Sequence, residues 1–306
     1  MSDRISNWTP DKLHDLEGRL YVITGGNSGI GFEAAKMLAR RNADIVIAGR
    51  SVEKISKAAD SLATVGSGVK STLQIDLADL SSVKSAASEL DSRTVKIDGL
   101  INNAGIMQTP KSLTKDGFEL QFGTNHLGHF LWSALNFPLV EAVGGRIVTV
   151  SSIAHRYGRL NFDDLMLTQR YDPTTAYCQS KLANLVFAQE LHRRLEATQA
   201  KAISVACHPG YSNTNLQSTG PGAGLTALYK LTNALFAQPA RDGATPTVLA
   251  AAGDEAQAGA YYGPTGFREF RGPTGTATVS ARARSGDTGN RLWAESERLL
   301  DCQWLS

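Results

Sequence analysis

A tyrosine and a lysine stand four positions apart, Tyr177 and Lys181, within the segment DPTTAYCQSKLAN from Asp172 to Asn184. Asp172 suits an N-cap and Pro173 the first position of a helix, where an N–H would have had no partner anyway. One helical turn then puts both side chains on the same face. A phenol with a pKa of about 10 is a poor proton donor or acceptor near neutrality, and a neighbouring ammonium favours its ionised form. The positive end of the helix acts in the same sense. The pair is a candidate general acid and base. Tyrosine and lysine at this spacing are also common on solvated helix faces, so the rest of the chain must decide whether they do chemistry.

The segment RLYVIT, Arg19 to Thr24, reads as a buried strand and runs straight into GGNSGIG. A helix from Phe32 to Arg41 and a second strand, Asp44 to Ala48, complete a βαβ unit. In that setting a glycine-rich turn binds a dinucleotide. Gly25, Gly29 and Gly31 allow a tight turn, a close approach of pyrophosphate to backbone, and close packing of helix on sheet. Thr24, Asn27, Ser28 and Ile30 share that turn, and the helix offers its unsatisfied N–H groups to phosphate. The second strand leads to Arg50 and Ser51, where a site for NAD usually carries an acid. A cation followed by a hydroxyl suits a 2′-phosphate, so NADP(H) is expected in preference to NAD(H).

The alternation continues with a helix over 52–65, a strand over 71–75, a helix over 81–95 and a strand over 97–101. It predicts the α/β class: a single-domain Rossmann fold over residues 1–306, with a doubly wound parallel sheet and helices on both faces. Ligands bind such sheets at the carboxyl ends of the strands. Those ends carry Asp76 and Leu77, then Asn102, Asn103, Ala104 and Gly105, and, after a fifth strand over 146–150, Ser151 and Ser152. Asp76 serves equally well as a helix cap, and the two roles are compatible. A helical stretch over 114–143 holds Asn125, His126 and His129. The two histidines lack a third ligand at a recognisable spacing, so packing is the expected role and no metal is expected.

Composition narrows the class. Lys and Arg (31) nearly balance Asp and Glu (29), leaving a net charge of +2 and no electrostatic case for nucleic acid or an anionic membrane. Cys178, Cys207 and Cys302 form neither a disulfide framework nor a zinc pattern, which fits a reducing cytoplasm. The first nineteen residues are polar, and no apolar run is long enough to span a bilayer. A soluble cytoplasmic protein is expected.

Taken in order, TGGNSGIG (Thr24 to Gly31), NNAG (Asn102 to Gly105), Asn125, the serine pair and YxxxK resemble the short-chain dehydrogenase/reductase family over roughly residues 19–214. TGGNSGIG, VSSIAHRYGRLNFDDL and AYCQSKLAN look most like its retinol dehydrogenase subgroup, which is itself similar to protochlorophyllide reductases. The resemblance implies that Tyr177 exchanges a proton with the substrate oxygen while Lys181 lowers its pKa and binds the nicotinamide ribose. It implies that Ser152, with Ser151 as the alternative, orients the carbonyl. Asn125 would hold a helix irregularity and a water leading from Lys181 to solvent, and Pro209, Gly210 and Thr214 would lie against the nicotinamide carboxamide. His155 and His208 flank this site, with packing or capping as alternative roles. Family members also commonly form homodimers or homotetramers, often through two long helices.

The last ninety or so residues carry no subgroup match. Within residues 215–306, the segment GLTALYKLTNALF (Gly224 to Phe236) has leucines at helical spacing and reads either as a lid over a lipophilic pocket or as packing. Helices are expected over 244–252 and 289–300, separated by a glycine-rich basic stretch over 261–284 whose arginines read as surface charge. Microsomal retinol dehydrogenases carry an apolar N-terminal anchor that this sequence lacks, so retinol itself does not transfer as substrate. The expected activity is NADP(H)-dependent hydride transfer to or from a lipophilic aldehyde, ketone or secondary alcohol. The alternatives are a cofactor-binding regulatory or scaffold protein and a reductase of conjugated C=C bonds.

Overall fold

Eight strands form one sheet in the order β3-β2-β1-β4-β5-β6-β7-β8. The computed structural model describes residues 4–211 and 238–305. The strands are β1 (Leu20–Thr24), β2 (Asp44–Gly49), β3 (Lys70–Gln74), β4 (Gly99–Asn102), β5 (Arg146–Val150), β6 (Ile203–Cys207), β7 (Tyr261–Pro264) and β8 (Thr274–Thr276). The first seven pair in parallel, and β8 returns antiparallel to β7 at the edge. The parallel, doubly wound sheet expected from the sequence is present, with that antiparallel edge added. Because β1 lies between β2 and β4, the chain leaves the sheet centre in opposite directions, and a crevice opens at their carboxyl ends.

Strand residues alternate between two apolar layers. Val22, Val46, Leu100 and Ile147 join the layer of α3 (Leu80–Arg93), α4 (Gly128–Glu141), α5 (Pro173–Ala197) and α7 (Gly286–Leu300). Ile23, Ile47, Ile101 and Val148 join the layer of α1 (Gly29–Ala39), α2 (Val52–Leu62) and α6 (Ala240–Ala252). Each such side chain, fully buried, contributes roughly 1.5–3 kcal/mol, so both helical layers are held firmly against the strands that present the site.

Several boundaries differ from the sequence reading for local reasons. The helix expected from residue 114 starts at Leu120, because Gly117 turns the chain at φ 87° and the Glu119 carboxylate caps the amides of Gln121 and Phe122. Residues Gly123–Leu127 then form a π-helical turn before α4. Before β1 the chain makes one 3-10 turn, Pro10–Lys12. Asp76 does not cap α3; Asp79 does, accepting from Ser81 and Ser82. The basic stretch over 261–284 contains β7 and β8. The segment Gly224 to Phe236 and Thr214 lie outside the described residues.

Asp172 caps α5 as expected, accepting the Thr175 amide at 2.7 Å. Phe130 of α4 and Phe187 of α5 are covered by Trp293 of α7 and by Trp304, with Phe130 4.8 Å from Trp293 and 5.5 Å from Trp304 between ring centroids. Any association of copies through α4 and α5 must therefore use other faces of these helices. Trp8 bridges to Thr274 of β8, so the segment before β1 is fixed to the edge of the sheet. Among the described residues, no helix is long and apolar enough to cross a membrane.

Candidate active site

A cleft of about 970 Å³ opens at the carboxyl ends of the central strands. At one end lies the turn between β1 and α1. Gly25 and Gly29 adopt φ of 66° and 55°, which glycine enters without strain. A Cβ at Gly31 would fall 2.4 Å from Asn103 Nδ2 and 2.6 Å from the Gly25 carbonyl oxygen, so the third glycine is required by contact. The Ser28 hydroxyl makes no cap to α1. The helix thus presents its first amides to the cleft, an anion-binding arrangement that fits a dinucleotide pyrophosphate. Thr24, Asn27, Ser28 and Ile30 line this end, as do Arg50, Asp76 and Leu77 further along. Arg50 is exposed at the end of β2. Ser51 does not line the cleft; its hydroxyl caps α2 through the Lys54 amide.

Thr24 ties this turn to the β4 end. Its Oγ accepts the amides of Asn103 and Ala104, each at 3.0 Å, and the Asn103 side chain donates to the Thr24 carbonyl at 2.7 Å. His129 completes the link. Its Nδ1 lies 3.0 Å from the Asn125 carbonyl, which can only accept, so Nδ1 carries the proton and Nε2 accepts from the Thr24 hydroxyl at 2.8 Å. Burial lowers the His129 pKa to about 4 and keeps this ring neutral. The sequence reading assigned His129 to packing; its spacing of four from Asn125 was the available signal for this hydrogen bond. His126 lies in the apolar layer against Ser296, with its pKa lowered to about 3 by burial.

Asn125 sits in the π-helical turn, behind the cleft and fully buried. Its Oδ1 accepts the Ile106 amide at 2.8 Å, and its Nδ2 donates to the Ile106 carbonyl and to Ser180 Oγ, each at 2.9 Å. Ser180 in turn donates to the Tyr177 carbonyl. Asn125 therefore joins the loop after β4 to the first turns of α5. The widened turn lets a single side chain reach both partners, in keeping with the frequency of π turns at functional sites.

Tyr177, Lys181 and Ser152 converge on the far wall. The Lys181 ammonium lies 5.8 Å from the Tyr177 ring centroid and donates to the Val150 carbonyl at 3.3 Å. Lys181 is 4% exposed, and burial lowers its pKa to about 8. The serine pair divides its work. Ser151 Oγ donates to the Lys181 carbonyl at 2.7 Å, whereas Ser152 Oγ accepts the Ala154 amide at 3.2 Å and so retains its proton for another acceptor. Gly105 also faces the ammonium, since a Cβ there would lie 3.4 Å from Lys181 Nζ. Pro209 and Gly210 line the same end, Gly210 at φ 66°.

Other residues of this end lie outside the sequence motifs. Met107, Ile153, Tyr157 and Phe270 give it an apolar surface. Phe270 comes from the loop between β7 and β8, where no motif marked it. His155 and His208 are buried next to the cleft wall, with Tyr261 against both rings. Burial lowers the His155 pKa to about 4, and its Nδ1 contacts the Ser152 carbonyl at 2.6 Å.

The family model described as short chain dehydrogenase matches residues 19–221. The chain belongs to this family. It is similar to retinol dehydrogenase 12 of Mus musculus, 39% identical over 94% of this chain and 88% of the relative. Retinol dehydrogenase 13 of Homo sapiens is 38% identical over 93% and 85%. An uncharacterised protein from Mycobacterium paratuberculosis has a solved structure that superposes with a TM-score of 0.82, at 40% identity over 97% of this chain and 99% of its own. A solved structure from Beutenbergia cavernae, described as an NAD(P)-dependent gluconate 5-dehydrogenase with NADP bound at low occupancy, gives a TM-score of 0.64 at 26% identity, covering 81% of this chain and 95% of its own. This short-chain dehydrogenase is an NAD(P)-dependent oxidoreductase acting on alcohols or carbonyls.

Proposed function

We propose that the protein uses NADP(H) to interconvert a lipophilic aldehyde or ketone and its alcohol. The observation that carries this reading is one cleft with a phosphate turn and Arg50 at one end and Tyr177, Lys181 and Ser152 at the other. The residues present suit the cofactor: the turn lacks the Cβ atoms that would fill its cradle, and Arg50 offers charge to a 2′-phosphate.

Bound there, a nicotinamide supplies or takes the hydride. Ser152 donates a hydrogen bond to the substrate oxygen and fixes its direction. Tyr177 gives that oxygen a proton during reduction and recovers it during oxidation. Lys181 favours the ionised form of Tyr177 through its charge, and Asn125 keeps the turn of α5 that bears both residues in register. The apolar wall of Met107, Ile153, Tyr157 and Phe270 favours a substrate whose carbon skeleton is hydrophobic.

Oxidation of NADPH and NADH by the purified protein, over aliphatic, aromatic, retinoid and steroid carbonyls, tests the reading. The expected result is NADPH-preferring turnover that disappears in Tyr177→Phe while NADPH still binds. Turnover at the wild-type rate in Tyr177→Phe refutes the proton-transfer assignment. Activity confined to conjugated C=C substrates, or binding without any turnover, refutes the carbonyl reading.

A further inference from the structure

Behind the cleft, the Glu269 carboxylate gathers three partners. Its Oε2 meets Arg156 at 2.6 Å and His208 Nε2 at 3.1 Å, and its Oε1 accepts the Thr278 amide at 3.0 Å. Arg156 belongs to the turn that starts at Ser152, and His208 precedes Pro209 and Gly210. We infer that Glu269 is a positioning residue: through His208 and Arg156 it holds the Pro209–Gly210 turn and the Ser152 turn in register at the nicotinamide end of the cleft. The inference rests on the reading of that end given under Proposed function.

The chemistry runs through one imidazole. The Gly210 amide donates to His208 Nδ1 at 3.1 Å, so Nδ1 must be unprotonated and the ring proton must sit on Nε2. Glu269 is the acceptor that keeps it there. Without that carboxylate, Nε2–H loses its partner in a side chain with no exposure, and one of the two contacts that select this tautomer is gone. In the other tautomer Nδ1–H points at the Gly210 N–H, donor against donor, and the turn must shift. Such a shift occurs at the cleft wall itself, since Pro209 and Gly210 both line it.

Local backbone supports a dedicated role. Arg268 and Glu269 both adopt left-handed conformations, at φ 50° and 63°, although neither is glycine. Conformations of this kind persist where surrounding contacts over-determine them, and here they aim one carboxylate at three segments. Gly263 lets the cluster close, because a Cβ there would fall 2.1 Å from His208 Nε2. The next residue, Phe270, lines the cleft and accepts the Tyr211 amide at 2.7 Å, joining the same loop to the residue after Gly210.

Calorimetric titration with two ligands separates positioning from bulk stability. NADPH occupies both ends of the cleft; 2′-phospho-ADP-ribose has the adenosine half and no nicotinamide. Glu269→Ala is expected to weaken NADPH about tenfold and to leave 2′-phospho-ADP-ribose within about twofold, as loss of a charge-assisted hydrogen bond at one end requires. Glu269→Gln keeps the shape and one acceptor, should hold the fold if the alanine variant does not, and is expected to weaken NADPH selectively by about threefold. Equal weakening of both ligands, or no change in Glu269→Gln, overturns the inference and leaves the proposed function intact. Wild-type protein that binds neither ligand overturns both together.

Discussion

The Lys181 ammonium lies 5.8 Å from the Tyr177 ring centroid, in a site so enclosed that burial brings the lysine pKa down to about 8. The folded value lies below the ordinary lysine value of 10.5. Between the two, the unfolded chain holds a proton that the folded chain does not, so stability rises with pH across that window. Chemical denaturation of cofactor-free protein at several pH values between 7 and 10.5 should show this rise, and Lys181→Met should lack it. In the wild type, kcat/KM should fall as pH passes about 8 and Lys181 loses its charge. A flat difference in stability between the two proteins contradicts the burial argument.

Asn125 commits both side-chain N–H donors and its oxygen to Ile106 and Ser180. Asn125→Ala leaves the two Ile106 backbone groups and the Ser180 hydroxyl to find other partners. A loss of about 2 kcal/mol is expected, from buried polar groups left unsatisfied. Urea titration measures that loss, and turnover should fall with it because Ser180 also holds the Tyr177 carbonyl. Wild-type stability in this variant contradicts the role drawn for the π turn.

At Gly31 the restriction is steric. Gly31→Ala puts a methyl 2.6 Å from the Gly25 carbonyl oxygen, a backbone atom that can move only with the turn. A cost of about 1–3 kcal/mol is expected from overpacking, together with weaker binding of both NADPH and NADH. Thermal unfolding and cofactor titration give the two numbers. Unchanged affinity for both cofactors shows that the turn does not hold phosphate.

Arg50 separates the two cofactors. Arg50→Asp should weaken NADPH well over tenfold and NADH far less, since an ion pair with the 2′-phosphate is replaced by repulsion. Dissociation constants for the two cofactors in both proteins decide the matter. Equal losses remove Arg50 from 2′-phosphate recognition.

Local chemistry made much of this architecture legible in the sequence. Short apolar runs ending in glycine, asparagine or serine marked β1, β4 and β5 and the ends that face the cleft, and Asp172 with Pro173 marked the start of α5. Contacts between distant residues left no such mark. Ser51 reads as a phosphate ligand from its place after Arg50, whereas its second use, accepting the Lys54 amide at the start of α2, shows only in the fold. Asp76 and Asp79 are equivalent as caps in one dimension, and only the path of the chain makes Asp79 the one that is used. Glu269 reaches His208 across sixty-one positions, a separation at which no spacing rule applies.

Trp293 and Trp304 follow Phe130 and Phe187 far along the chain, and they close the layer that backs α5. Phe130 and Phe187 are made long before their covers exist. A growing chain therefore carries an unfinished aromatic seam until those two tryptophans emerge, a natural target for chaperones while it waits. α5 gains its full support only once Trp293 and Trp304 are in place, so a chain stopped before Trp293 has Asn125, Ser152, Tyr177 and Lys181 but an open seam behind them.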